Sequence, residues 1–305
     1  MKYSKIKSFI ITFVMSFGIL TVNAQGIVVC KKDGSKIHVP YEQLDSIATY
    51  DYSEELGETD GKNKVFTVNG VSFTMVFVKA GTFTMGATAE QNNPYSDEKP
   101  PHQVTLTHDY YIGETEVTQA LWKAVTGYSP TVSGDSWSSD YGIGDNYPAY
   151  YINIFDVHSF LTKLNSLTGE IFRMPTEAEW EYAARGGNKS DGYQYSGSNS
   201  VDDIAWYKDN SSSKTHIVKT KMPNEQGLYD MSGNVYELCS DLYATYPDSS
   251  QIDPEGAPTG SEHVSRGGSW DDGLGGCRVA FRRRISSSWR LNDNGFRLVL
   301  NSSQK

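Results

Sequence analysis

The chain has 305 residues, of which 38% are hydrophobic and 12% aromatic, including 20 tyrosines. This length and apolar content are enough for one large domain with a buried core, with room for a small appendage. The formal net charge is −10. Because a negative surface repels phosphate backbones, nucleic acid is not expected as a partner.

The first 24 residues have the pattern of a secretory signal peptide. Three lysines in the first seven residues precede an apolar run over residues 8–22, and Val22, Asn23 and Ala24 supply the small residues of a cleavage site. The run is about 15 residues long, shorter than the ~20 that a membrane-spanning helix needs. We therefore predict an exported protein without a transmembrane segment after cleavage, located in the periplasm, at the cell surface or in the medium.

A small β unit is predicted over residues 25–50. Asp33 and Gly34 stand between two short β-branched runs, which is a strong signal for a hairpin. Residues 51–64 are acidic and contain glycine, so they are predicted to form a linker. The large domain then covers residues 65–300.

The large domain begins with strand patterns and continues with three helix patterns. Thr115 or Thr118 is the candidate N-cap of the first helix, and in the third helix Thr176 and Glu179 form a capping box. After residue 186, Gly, Asn, Ser and Asp interrupt short apolar pieces. The expected class is α+β, with few helices and much irregular structure. Strands are predicted over residues 73–78, 83–86, 104–106 and 110–112, and helices over residues 118–126, 154–167 and 175–185.

Six motifs of the large domain resemble those of the formylglycine-generating enzyme family, also called sulfatase-modifying factors. Each motif is modest alone, but all six occur in family order, which makes the set specific. The resemblance implies the family's fold, a variant of the C-type lectin fold. The motifs lie at residues 83–86 (FTMG), 114–118 (ETEVT), 173–181 (RMPTEAEWE), 227–237 (GLYDMSGNVYE), 266–270 (RGGSW) and 295–298 (GFRL).

The motif at residues 227–237 places oxygen donors at close spacing around a glycine, as calcium requires. The resemblance implies a structural calcium ion held by the side chains of Asp230 and Glu237 and the carbonyls of Gly233 and Val235. The alternative is that the two carboxylates only accept hydrogen bonds from backbone amides.

The family's enzymes bind copper(I) through a cysteine pair, because this ion requires soft thiolates. The resemblance places the pair at positions 272 and 277, where this chain has Asp272 and Cys277. Copper binding is therefore not expected. If the protein is an enzyme, Cys277 is its catalytic candidate; otherwise Cys277 is packed or disulfide-bonded, and we predict a disulfide with Cys239.

Residues 266–300 alternate between the family's fixed motifs and residues of mixed chemistry without periodicity. This arrangement also resembles the variable proteins of diversity-generating retroelements, in which Asn codons are changed by adenine randomisation. Except for Trp289, the intervening residues are among those that such randomisation reaches. An ordinary family member whose loops favour Gly, Ser and Asp would look similar.

We predict a ligand-binding face in this segment, because arginines and aromatic residues often anchor interfaces. The arginine run at 282–284 would attract an acidic partner, unless alternate arginines pair with internal carboxylates. The predicted function is non-catalytic binding of a protein or glycan ligand. The alternatives are an oxidase acting on sulfatase cysteines, or a cell-surface component docked through the N-terminal β unit. The predicted face comprises Asp271, Asp272, Phe281, Arg283, Arg284, Ser287, Trp289 and Asn292.

Overall fold

The computed structural model describes residues 61–302, except residues 133 and 135, together with four strands between residues 13 and 40. The chain divides into two units, Met1–Gly57 and Glu58–Lys305. Most of the predicted leader (residues 1–24) and of the predicted linker (residues 51–64) lies outside the described residues.

The first unit contains an antiparallel sheet whose strand order follows the chain. Its third and fourth strands form the hairpin predicted from the sequence, with Ile27 opposite Val39. The strands are β1 (Phe13–Met15), β2 (Gly18–Asn23), β3 (Gly26–Lys31) and β4 (Lys36–Pro40).

The described part of the second unit contains three sheets, the largest of which has five antiparallel strands. Its spatial order is β10 (Phe172–Arg173), β16 (Val299–Asn301), β9 (Tyr110–Gly113), β6 (Val71–Val78) and β5 (Lys64–Val68). The last described strand thus pairs with β9, far earlier in the chain, which fixes the C-terminal segment against the body of the domain.

The other two sheets contain, respectively, four strands of residues 236–295, and three strands of which two lie within residues 81–106. One has the order β14 (Arg282–Ser286), β13 (Glu262–Arg266), β11 (Tyr236–Leu242) and β15 (Asn294–Gly295). The other has the order β12 (Gln251–Ile252), β8 (His102–Leu106) and β7 (Gly81–Met85).

Four α-helices occur in the described part of the second unit: α1 (Gln119–Thr126), α2 (Ile154–Thr168), α3 (Glu177–Ala184) and α4 (Val201–Ile204). The first three confirm the predicted helices. The N-cap of α1 is Thr118, whose side chain accepts from the backbone N–H of Leu121. Thr176 and Glu179 form the predicted capping box of α3. The fold class is therefore α+β, as expected.

The core of the second unit has two main clusters. In the first, α1 and α2 meet through Trp122 and Phe160, whose ring centroids lie 5.2 Å apart, and Phe296 packs edge-on against Phe160. In the second, Trp180 and Ala183 of α3 pack with residues of β7, β8 and β11. Among the described residues, no helix has both the length and the apolar character to cross a bilayer.

Candidate functional site

Four arginines of residues 266–300 are buried and paired with glutamates from earlier parts of the chain. Each paired side chain is at most 6% exposed, and three of the pairs have two hydrogen bonds between 2.5 and 2.7 Å. Removing one partner of such a pair typically costs about 3–5 kcal/mol, because the other charge stays buried and unpaired. We call these residues the buried frame: Arg266 with Glu181, Arg278 with Glu98, Arg282 with Glu177, and Arg297 with Glu237.

Strand β14 separates its three successive arginines, because neighbouring side chains of a strand point to opposite faces. Arg282 points inward and pairs with Glu177. This is the alternative stated for the arginine run, in which alternate arginines pair with internal carboxylates. Arg284 is on the same side, with its guanidinium 5.8 Å from the ring of Tyr243. Arg283 faces the other way and stacks 4.4 Å above the ring of Tyr236. Arg284 therefore does not share a face with Arg283, contrary to the predicted set.

Arg283 belongs to a connected cluster at the end of the sheet. Its guanidinium bonds the Asp293 carboxylate at 2.9 Å. The Tyr236 hydroxyl, below it, donates to Asp272 at 2.9 Å. Burial and the Asp272 carboxylate raise the pKa of Tyr236, so the phenol keeps the proton that it donates. These four residues form the centre of what we call the C-terminal face.

Aromatic side chains extend this centre. Phe281 lies 6.4 Å from the ring of Tyr236 and 5.6 Å from the ring of Tyr95. Tyr95 is 55% exposed, although its position in the sequence gave no reason to place it here. The C-terminal face thus offers three charged groups and the partly exposed rings of Phe281 and Tyr95 to a ligand, above the buried ring of Tyr236.

The remaining predicted residues lie around this centre or beyond it. The Asp271 side chain is 62% exposed, and its carboxylate lies 3.9 Å from the Lys208 ammonium. Asn292 is half-buried, and its carbonyl accepts from the indole of Trp270. Ser287 donates to a backbone carbonyl beyond the far end of β14. Trp289, which follows in the same loop, is 56% exposed.

The two positions of the copper-binding pair do not present a thiolate. Both oxygens of Asp272 are engaged, one by Tyr236 and the other by the Ser269 hydroxyl at 2.5 Å. Cys277 is fully buried, and this burial, with a smaller effect from the Asp272 carboxylate, raises the pKa of its thiol. A raised pKa disfavours the thiolate that a nucleophile or copper(I) ligand needs.

The predicted disulfide between Cys239 and Cys277 is wrong. Both cysteines are free and buried. Cys239 packs in the cluster around α3, whereas Cys277 packs with Tyr195 and Tyr207 in a separate small cluster. Each thiol is accommodated as a small apolar side chain where it lies.

The predicted calcium ligands differ in their surroundings. Glu237 accepts two hydrogen bonds from Arg297, both 2.5 Å long, and a third from the indole of Trp180. Asp230 accepts from the backbone N–H of Lys219 through Oδ2, but its buried Oδ1 has no hydrogen-bond partner. Asp230 therefore has an oxygen available for a cation, whereas Glu237 is already neutralised by an arginine.

Glu116 lies in the same buried region and was not predicted. It is 2% exposed, and neither of its carboxylate oxygens has a hydrogen-bond partner. Burial, followed by the carboxylates of Asp230 and Glu237, raises its pKa well above the usual value. Burial also raises the pKa of Asp230 to about 6. Within the described residues, no three or more His, Cys, Asp or Glu side chains have a metal-binding arrangement.

A groove of about 1140 Å³ lies elsewhere, between α2, β10 and the loops next to β8 and β12. None of the predicted ligand-binding or metal-binding residues lines it. Its arginine, Arg173, is paired with Glu179 at 2.6 Å. The groove and the C-terminal face are therefore separate features.

A family model described as the sulfatase-modifying factor enzyme 1-like domain matches residues 63–302. The chain belongs to this family. The chaperone protein LppX of Paenibacillus barcinonensis is 30% identical over 271 residues, covering 75% of this chain and 90% of LppX. The formylglycine-generating enzyme of Streptomyces coelicolor is 29% identical over 282 residues, covering 73% of this chain and 87% of that enzyme.

A solved structure, that of Treponema denticola variable protein 1, superimposes with a TM-score of 0.69 at 36% identity. The alignment covers 79% of this chain and 99% of the Treponema protein. The sulfatase-modifying factor scaffold thus accounts for the motif order, and a variable protein has the same fold.

Part of the site could be predicted from the sequence. Asp272, Phe281 and Arg283, which lie between fixed motifs, were predicted, whereas Tyr236 and Asp293 were not. Tyr236 is inside the motif at residues 227–237, so it was assigned to the scaffold. The structure shows that its hydroxyl reaches Asp272, 36 residues later.

Proposed function

We propose that this protein is an exported, non-catalytic binding protein that captures a protein or glycan ligand on the C-terminal face. One observation carries the proposal. At the position of a copper-binding cysteine, Asp272 is fixed by Tyr236 and Ser269 and joins the cluster of exposed and half-exposed groups around Arg283. Aromatic residues and arginine are the residue types that most often anchor interfaces.

The similarity to Treponema denticola variable protein 1 supports the same proposal. If the C-terminal face is varied by a diversity-generating retroelement, its codons carry the record. We expect codons ending mostly in C or T at the intervening positions, and a nearby genomic copy rich in Asn codons. Genomic sequencing of the locus checks both.

Strand β14 provides a matched pair of variants for testing the binding face. A glycan array and a panel of purified cell-surface proteins identify a ligand, and its affinity is then measured for Arg283→Ala and Arg284→Ala. Because Arg283 is in the cluster and Arg284 is on the other side of the strand, we expect about 30-fold weaker binding for the first only, corresponding to ~2 kcal/mol. Equal effects of the two variants would contradict the proposed face.

The alternative function is a formylglycine-generating oxidase, which the relatives bearing that name favour. It predicts copper-dependent oxygen consumption in the presence of a cysteine-containing sulfatase peptide. We expect none, because the Cys277 thiol is buried and its pKa is raised. Oxygen consumption that disappears in Cys277→Ser would overturn the non-catalytic proposal.

Export and calcium binding complete the proposal. The leader pattern predicts a mature protein that begins at Gln25, which N-terminal sequencing of the secreted or periplasmic fraction checks.

A calcium ion near Asp230 would be structural, since it would neutralise buried carboxylates away from the C-terminal face. Its binding would raise the free energy of unfolding, because only the folded chain assembles the ligands.

A further inference from the structure

Three carboxylate oxygens are buried without a hydrogen-bond partner in one region: Oδ1 of Asp230 and both oxygens of Glu116. Buried polar groups in native proteins nearly always have partners, and a buried charge without one is costly. The two side chains come from distant motifs, at residues 114–118 and 227–237. Since carboxylate oxygens of both motifs lack hydrogen-bond partners in the same region, we infer that a group outside the polypeptide completes the site.

The charges of the region lead to the same conclusion. The carboxylates of Glu116, Asp230 and Glu237 influence one another, and Arg297 is the arginine that acts on them. When all three carboxyl groups are ionised, as metal ligands are, three negative charges and one positive charge leave a formal charge of −2. The ammonium of Lys219 does not supply the difference, because it is 2.7 Å from the carboxylate of Glu114 at a half-exposed position. A divalent cation would balance the charge.

We propose that Glu116 is a ligand of the structural calcium ion together with Asp230, and that Glu237 positions Arg297 instead of binding the ion. This inference rests on the calcium site proposed above and changes its ligand set. Glu237 is the poorer ligand, because its carboxylate already accepts three hydrogen bonds, two of them from the guanidinium of Arg297. A cation at those oxygens would lie directly against the positive charge of the arginine.

Calcium fits this arrangement better than other cations. The available donors are carboxylate oxygens, with the backbone carbonyls of Gly233 and Val235 close by in the chain, and calcium takes six to eight oxygen ligands in irregular geometry. The loop is fixed at Gly233, where a Cβ atom would lie 2.4 Å from the Trp206 carbonyl oxygen. A loop that is packed in this way keeps its carbonyl oxygens in fixed positions for binding an ion.

Calorimetric titration of calcium chloride into the EDTA-treated full chain tests the proposal. We expect wild-type protein to bind one calcium ion, and Glu116→Gln and Asp230→Asn each to bind at least tenfold more weakly. The matched control is Asp241→Asn, another buried carboxylate, whose Oδ2 accepts from Glu177 and Ser240 and which should bind calcium like wild type. Weakened binding in the control as well would contradict a specific role for Glu116.

Thermal unfolding supplies a readout that a merely structural glutamate would not show. In EDTA, Glu116→Gln should be at least as stable as wild type, because Gln has nearly the same shape as the buried carboxyl group without hydrogen-bond partners that it replaces; with calcium, the wild type should become the more stable protein. A variant that is less stable under both conditions overturns the proposal. If Glu116→Gln does not fold, Glu116→Asp keeps the charge and shortens the reach, and unchanged calcium affinity in that variant overturns it equally.

The outcomes separate this inference from the proposals on which it rests. If wild-type protein binds no calcium, both calcium proposals fail, while the C-terminal face is unaffected. If it binds calcium and Glu116→Gln binds equally well, only the assignment of Glu116 fails.

Discussion

Arg282 and Arg283 are neighbours in the sequence but belong to two different regions of the molecule. Arg282 is buried against Glu177, 105 residues earlier in the chain, and is part of the buried frame. Arg283 is partly exposed and contacts Tyr236 and Asp293 on the C-terminal face. The comparison teaches that one strand can contribute both to a buried frame held by long-range ion pairs and to a partly exposed cluster of polar and aromatic groups.

The frame also explains why the family motifs occur together. Each frame arginine comes from residues 266–300, and its glutamate comes from an earlier part of the chain. Two of the four pairs, Arg266 with Glu181 and Arg297 with Glu237, join one motif to another, so a change in one motif leaves a buried charge in the other. The C-terminal face is less constrained, because its charged side chains Asp272, Arg283 and Asp293 are partly solvated and their contacts are local to the site.

The largest expected effect comes from breaking the frame. Glu98→Ala removes both hydrogen bonds to Arg278 and leaves that guanidinium buried, so we expect a loss of about 3–5 kcal/mol in the free energy of unfolding. Urea denaturation measures it. The control is Trp289→Ala on the exposed loop, where the change should stay within about 0.5 kcal/mol. Similar losses in the two variants would remove the distinction between the regions.

A smaller effect concerns a carboxyl group next to the frame. Burial, followed by the carboxylate of Glu177, raises the pKa of Asp241 to about 7. Since the pKa of Asp in the unfolded chain is about 4, the folded chain holds this proton more tightly, and the stability from Asp241 is present below pH 4 and lost as pH rises through 7. Asp241→Asn cannot titrate, yet its amide oxygen can still accept hydrogen bonds.

The stability of Asp241→Asn relative to wild type should therefore increase between pH 4 and pH 7 and then stay constant. The slope is at most about 1.4 kcal/mol per pH unit, the value for one proton. Urea denaturation across this range gives the curve. A difference that does not change with pH would show that Asp241 is ionised in the folded protein throughout.

The helices could be predicted from the sequence because their signals are local. Thr118, Thr176 and Glu179 act within one turn of the helices that they cap. Strand β14 was not predicted, because its run of three arginines is polar and the glutamate that permits burial of Arg282 lies far away in the chain. With the strand known, the alternation of side chains would have separated Arg283 from Arg284.

The candidate site was predictable to the extent that it lies between fixed motifs. Asp272, Phe281 and Arg283 were found for that reason. Tyr236, Asp293 and Glu116 were missed because contacts across strands or between motifs give them their roles. A sequence shows an acidic residue inside a motif, but not whether an arginine, an amide or nothing faces its carboxylate.

The most direct measurement of the division between frame and face is a comparison of two displayed libraries. The first randomises Asp271, Asp272, Phe281, Arg283, Trp289 and Asn292; the second randomises the four frame arginines. Each library is sorted for protease-resistant, folded protein and then for binding to several unrelated targets. We expect most of the first library to remain folded and to yield binders to different targets, whereas most of the second should fail to fold. Equal loss of folded protein in both libraries would contradict the division.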